Sequence, residues 1–228
     1  LADGAALPGW LSFDAATQTF SGTALNGDVG NLNVVVTATD TGGLSASSNF
    51  ALNIVNVNDT PTANADSGAA SEDGGAVLLN AATLLANDTD MDAIHGDLLN
   101  IVAVSPAVSG AAVSLLNGNV QYDVGSLFQS LAQGETGTDT FSYTVSDAAG
   151  ASSTATVTMT ISGVNDAAVT ANDTAGVQEE LMQFATGNVL ANDSDIDQGT
   201  VLTVANAGTL QGNYGRLLLN ADGSYTYT

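Results

Sequence analysis

This sequence has no cysteine and no lysine, and its single arginine, Arg216, and single histidine, His95, stand against 24 Asp and Glu. Each scarcity removes a class of chemistry. Without cysteine no disulfide can staple a small domain, so stability must come from apolar cores or bound ions. Soft transition metals find no thiolate and one imidazole among the possible ligands. A net charge of −23 repels phosphate backbones and anionic lipid, which argues against nucleic acid and membrane surfaces as partners. No apolar run approaches the roughly 18 residues a membrane helix needs, so no direct membrane insertion is expected from this segment. Catalysis is equally hard to assemble. The chain offers no thiol nucleophile, no amine and one imidazole among loop acids. A carboxylate pair could in principle hydrolyse a glycoside, but these acids fall in turns and not in an aromatic cleft. The chain reads as no enzyme.

What remains is strand material. Hydrophobic residues make up 44% of the chain and charged ones 11%, enough apolar content for packed cores. Thr, Val, Ala, Ser, Gly and Asn dominate, which favours strands and turns over helices. The sequence also repeats. Thr37-Ala-Thr-Asp40-Thr-Gly-Gly43 and the run ending Asn56-Val-Asn58-Asp59 return 107 residues later as Thr144-Val-Ser-Asp147-Ala-Ala-Gly150 and Gly163-Val-Asn165-Asp166. Leu84-Leu-Ala-Asn87-Asp-Thr-Asp90-Met-Asp92 returns 105 residues later as Val189-Leu-Ala-Asn192-Asp-Ser-Asp195-Ile-Asp197. These offsets predict the C-terminal part of one domain over 1–57, a complete repeat over 58–164 and the N-terminal part of a further repeat over 165–228. Both ends would leave strands unpaired, so the chain is expected to be an excerpt of a longer array.

Within 58–164 the alternation predicts strands over 62–70, 77–85, 98–104, 111–116, 119–123, 140–146 and 152–162. Asn117-Gly118 supplies the tight turn between the fourth and fifth, and 126–133 leaves room for a short helical turn. Seven short strands in about 100 residues predict an all-β fold of tandem immunoglobulin/cadherin-like Greek-key β-sandwich domains.

Successive strands of such a sandwich alternate in direction, which sorts the loops to two ends. One end of the middle repeat collects Asn58, Asp59, Asp88, Asp90, Asp92 and Asp147. The other collects Glu72, Asp73, Glu135, Asp139, Asn165 and Asp166, and the next repeat adds Asp193, Asp195 and Asp197. Carboxylates gathered in this way repel one another unless a cation shares them, and one arginine cannot neutralise them. Arg216 itself is expected to pair with a nearby carboxylate. Hard oxygen ligands in this number predict Ca2+, which takes about 6–8 oxygens in loose geometry, over the strictly octahedral Mg2+. Turn chemistry is the competing reading, because Asp and Asn also bond to their own backbone in turns that hold no metal. An EF-hand is excluded. Its loop needs Gly at the sixth position and Glu at the twelfth, where this sequence has Ala93 and Leu99 in one copy and Gln198 and Val204 in the other.

Asn58-Asp59, Glu72-Asp73, Leu85-Ala-Asn-Asp-Thr-Asp-Met-Asp92, Gly137-Thr-Asp-Thr-Phe-Ser-Tyr-Thr-Val-Ser-Asp147 and Gly163-Val-Asn-Asp166 resemble the bacterial cadherin-like and VCBS-type repeats. Leu7-Pro-Gly-Trp-Leu-Ser-Phe-Asp14, Phe20-Ser-Gly-Thr23 and Val36-Thr-Ala-Thr-Asp40 are similar to the dystroglycan-type cadherin-like, Ig-related domain. The resemblance implies calcium binding and cell adhesion in a large adhesin at the surface of, or secreted by, a Gram-negative bacterium, in the setting of biofilms. It implies neighbouring repeats of the same chain as partners, together with other cells, homophilic copies or polysaccharide. The linker departs from the animal cadherin pattern, whose longer Asp-x-Asn-Asp-Asn string is here only Asn-Asp. A polysaccharide-binding module beside carbohydrate-active enzymes and a metal-free spacer are the alternative readings.

Overall fold

Strands are the dominant regular element of the structure, a computed structural model that describes residues 1–178, 180 and 184–228. In the first segment β1 (Leu11–Asp14) pairs antiparallel with β2 (Thr19–Gly22), and β3 (Gly30–Thr39) with β4 (Ser45–Ile54). A 3-10 turn at Asn26–Asp28 separates the two pairs. Phe20 sits between Phe13 and Phe50, with ring centroids 4.6 and 5.5 Å away.

The middle segment holds β5 (Asp66–Ser71), β6 (Val77–Leu79), β7 (Asn100–Val104), β8 (Ala112–Leu116), β9 (Asn119–Asp123), β10 (Thr136–Ser146) and β11 (Ser152–Ser162). They form two sheets, ordered β5-β11-β10-β7 and β6-β9-β8, the expected all-β sandwich. Its core follows from period-2 alternation. Phe141, Tyr143 and Val145 of β10 and Ala155, Val157, Met159 and Ile161 of β11 are buried, while Ser and Thr alternate with them. Val120 and Tyr122 of β9 are buried too, and Tyr122 stacks on Phe141 with ring centroids 6.0 Å apart. Each of these larger side chains contributes about 1.5–3 kcal/mol by leaving water. Asn117 and Gly118 both take positive φ, as the two-residue turn between β8 and β9 requires.

Three expectations are corrected here. The strand expected over 77–85 stops at Leu79, and Ala81–Leu84 makes one α-helical turn that buries Leu84. Asn80 followed by two alanines favours helix initiation over continued pairing. The strand expected from residue 62 begins at Asp66, and Thr62 makes only an isolated bridge to Thr89. Residues 126–133 hold turns and bends without a helix.

The last segment forms β12 (Ala185–Asn188), β13 (Gly208–Gln211), β14 (Arg216–Leu219) and β15 (Ser224–Tyr227), in the order β12-β15-β14-β13. Arg216 donates to the Thr209 hydroxyl at 3.3 Å and pairs with no carboxylate among the described residues. No helix among the described residues is long and apolar enough to cross a membrane. Contacts divide the chain into two compact units. One is Leu1–Asn64 with Ala81–Ala103 and Thr144–Ala155; the other is Ala65–Asn80 with Val104–Tyr143 and Thr156–Thr228. Each takes part of residues 58–164 together with a flanking segment, and each contains one acidic cluster.

Candidate metal centres

The cluster in the second unit begins with strand direction. β5 runs parallel to β11 with Ser71 opposite Ser162, so the chain leaves both strands at the same edge. Just past that edge the Glu72 N–H donates to the Ser162 carbonyl at 3.1 Å. Glu72 Oε1 accepts from the Val164 N–H at 2.6 Å, which fixes the side chain beneath the Asn165-Asp166 linker with 1% of its surface exposed. The Asp166 N–H donates to Asp197 Oδ2 at 3.0 Å, and the Asp197 N–H donates to Asp195 Oδ1 at 2.9 Å. Carboxylate oxygens of Glu72, Asp166 and Asp197 thereby lie within 4.8 Å of one another.

Glu72 Oε2, Asp166 Oδ2 and Asp197 Oδ1 are buried atoms without a hydrogen-bond partner. Burial pushes the Asp166 carboxyl above the usual carboxylate range, and the charges of Asp73, Asp197, Glu72 and Asp195 push it further. Partnerless buried anions are strongly destabilising. An all-oxygen, all-anionic donor set of this kind fits a hard divalent cation, and Ca2+ before Mg2+ because carboxylates gathered from three separate segments suit loose coordination better than a strict octahedron.

The cluster in the first unit grows from one loop. Asp90 caps the 3-10 turn Met91–His95 by accepting the Asp92 N–H at 2.7 Å. Gly96, left-handed with φ 90°, ends that turn and carries the chain on to Asp97. Carboxylate oxygens of Asp90, Asp92 and Asp97 lie within 4.8 Å of one another. Asp92 is buried, and its Oδ2 accepts the Asp59 N–H at 2.6 Å. The Asn26 amide nitrogen donates to Asp59 Oδ2 at 2.8 Å and to Asp92 Oδ1 at 3.3 Å. Asp97 Oδ1 accepts from the N–H groups of Leu98 at 2.8 Å and Ala148 at 3.0 Å. Asp90 Oδ2 and Asn56 Oδ1 are the partnerless buried oxygens of this region. Asp147 stands beside Asn58, whose amide donates to it at 2.8 Å. That bond first, and then the N–H groups of Gly150, Ala151 and Ala149, outweigh burial and hold the Asp147 carboxyl below its ordinary range.

Several expected ligands have other partners. Asp88 Oδ1 accepts the Asn64 N–H at 2.7 Å, and Asp193 Oδ1 accepts the Ala171 N–H at 2.8 Å, so both brace turns in the same way. Asp195 supports Asp197, and the Asn165 amide donates to the Asp166 carbonyl at 2.7 Å. Asp139 is corrected outright. It points into the sandwich, 3% exposed, and accepts from the Ser109 N–H at 2.9 Å, the Ser109 hydroxyl, the Tyr122 hydroxyl at 2.8 Å and the Thr140 N–H at 2.8 Å. Burial pushes its carboxyl up, but these donors outweigh burial and leave it below its ordinary range. Burial first, and then the bond to Asp139, pushes the Tyr122 hydroxyl up. Asp97 and Asn26 were not singled out by spacing. Gly96 before Asp97 was the available turn signal; Asn26 lies 33 residues before Asp59 and carries none.

The profile of the bacterial cadherin-like domain matches residues 58–163 and 165–228, and that of the Putative Ig domain matches residues 1–55. Comparison with curated protein sequences finds no match. Among solved structures the chain is similar to mouse protocadherin-24 EC1-3, at 16% identity and TM-score 0.54 over 96% of this chain and 73% of that one. It is also similar to the protocadherin GammaB4 extracellular domain, at 19% identity and TM-score 0.56 over 98% of this chain and 36% of that one. A third likeness is to protocadherin Gamma B2 extracellular cadherin domains 1-5, at 12% identity and TM-score 0.52 over 95% of this chain and 42% of that one. At these identities the likeness bears on the fold alone.

Proposed function

The chain belongs to the bacterial cadherin-like domain family, and from that premise we propose that it is a calcium-binding extender and adhesion segment of a larger cell-surface or secreted bacterial protein. One observation carries the calcium reading: Glu72 Oε2, Asp166 Oδ2 and Asp197 Oδ1 are buried together without partners. A bound Ca2+ supplies the positive charge that this donor set lacks. Glu72 follows β5, Asp166 lies in the linker, and Asp197 belongs to the loop of the next repeat, so an ion held by all three ties those segments together. At a calcium concentration 100 times Kd, each site stabilises by about 2.7 kcal/mol. An array with such sites at successive linkers becomes a stiff spacer, the property an adhesin needs to present a distant contact surface. Neighbouring repeats are then the first partners, and other cells or homophilic copies the targets of the whole protein.

Calorimetric titration of the chain with CaCl2, paired with small-angle scattering in calcium and in chelator, tests this reading. The expected result is measurable binding heat and a longer, better-defined particle in calcium. Absence of heat with identical scattering would favour a metal-free spacer. Retention on polysaccharide without calcium dependence would favour the carbohydrate-binding alternative.

A further inference from the structure

The two acidic clusters differ in their hydrogen bonding. Resting on the calcium reading, we infer that the clusters fill in a fixed order, Glu72–Asp166–Asp197 first, because the Asn26 amide holds the Asp90–Asp92–Asp97 cluster closed.

The two clusters share a frame. In each, the N–H of the linker aspartate donates to a loop aspartate: Asp166 to Asp197 and Asp59 to Asp92. The segment before the linker supplies the difference. Before residue 165 it contributes a carboxylate, Glu72, 1% exposed, with Oε1 fixed by the Val164 N–H and Oε2 without a partner. Before residue 58 it contributes an amide, Asn26, whose nitrogen reaches both Asp59 Oδ2 and Asp92 Oδ1. Ionised carboxylates only accept, so the Asn26 side chain must face them with its NH2 group and not its oxygen.

That orientation opposes a cation. The NH2 group directs the positive end of its dipole to where the ion would sit, and it already satisfies oxygens an ion would use. Calcium binding there requires the amide to turn over, presenting Oδ1, or to withdraw. Asp97 Oδ1 is also occupied, by two backbone N–H groups. Of the three carboxylates here only Asp90 retains a partnerless buried oxygen, whereas in the Glu72 cluster all three do. The Glu72 cluster is thus preorganised for the ion, whereas the other one is already satisfied in part, at Asp92 and Asp97 Oδ1, without it. Ligand charge and rigidity set calcium affinity over several decades, and a separation of at least about tenfold is expected.

The test is calorimetric titration of the whole chain with CaCl2, on wild type, Glu72→Gln and Asn26→Asp. Wild type should show two steps at least about tenfold apart in affinity. Glu72→Gln should weaken the tighter step about tenfold or more and leave the weaker one in place. Asn26→Asp should tighten the weaker step and bring the two together, and because Asn26 lies half-buried in a 3-10 turn outside the strands, this variant decides the matter even where Glu72→Gln does not fold. A single class of equal sites in wild type would overturn the ordering, as would an unmoved weaker step in Asn26→Asp. No uptake of calcium by wild type would instead overturn the calcium reading itself.

Discussion

The backbone N–H of Asp59 donates to Oδ2 of Asp92 at 2.6 Å, across 33 positions of the chain. Asp166 makes the same bond to Asp197 at 3.0 Å across 31 positions. In both cases the main chain of the linker, and not its side chain, holds the loop aspartate. The linker carboxylate stays available to a second group: the Asn26 amide at Asp59, and no protein donor at Asp166 Oδ2.

Asp197→Asn keeps an oxygen to accept the Asp166 N–H but removes a charge from the Glu72 cluster. The rise in Tm produced by calcium should shrink; a tenfold loss of affinity corresponds to about 1.4 kcal/mol at fixed excess calcium. In chelator the variant should melt at the same temperature as wild type or slightly above it, since like-charge repulsion falls. Scanning calorimetry in calcium and in chelator reads both numbers. An undiminished calcium-induced rise would show that Asp197 holds no ion.

The raised Asp166 carboxyl gives the calcium-free chain a pH signature. A group with a folded pKa above its unfolded value contributes stability that is present below the unfolded pKa and is lost as pH rises through the folded pKa. In chelator, acidification through the carboxylate range should therefore relieve this cluster. Asp166→Asn should flatten that part of the Tm-against-pH curve, and saturating calcium should abolish it in wild type. Identical curves for variant and wild type in chelator would contradict the assignment.

Asp139 behaves in the opposite sense. Its lowered carboxyl contributes stability above the unfolded carboxylate pKa that is lost as pH falls through the folded one. Asp139→Ala strips Tyr122, Ser109 and Thr140 of their common acceptor and should cost about 3 kcal/mol or more. Tyr122→Phe removes one donor and should cost about 0.5–1.5 kcal/mol. Chemical denaturation measures both. Calcium affinity of Tyr122→Phe should equal that of wild type, which separates the interior brace from the ion sites.

Met159→Ala hollows the centre of the sandwich, where Met159 is fully buried. A loss of about 2–5 kcal/mol is expected from the transfer and cavity terms. Calcium-induced stabilisation should survive in whatever fraction folds. Loss of calcium binding in a folded Met159→Ala chain would mean the clusters depend on core packing more than their hydrogen bonds indicate.

Local chemistry made most of the strand plan legible. Residues 119–123 and 152–162 are strands with the expected bounds because strict alternation admits one buried face. The plan failed at 80–85, where Asn80 and two alanines turn the chain into a helical turn that a hydrophobic count alone cannot separate from a strand. Among the acids, the motif Asp-x-Asp-x-Asp marked both loops but could not rank its members. Asp88 and Asp193 brace backbone turns, whereas Asp92 and Asp197 receive the linker N–H groups.

Composition and repetition by themselves determined that this chain is all-β, acidic and modular, since those properties follow from residue type and spacing along the chain. Tertiary structure alone decided which oxygens are left without donors. Glu72 and Asp139 look alike in sequence, each an acid expected at the same end of the middle repeat. One has a free oxygen beneath the linker, and the other is filled by Ser109, Tyr122 and Thr140. The physical reason is that hydrogen-bond satisfaction depends on neighbours brought in from distant positions, and no local pattern carries that information.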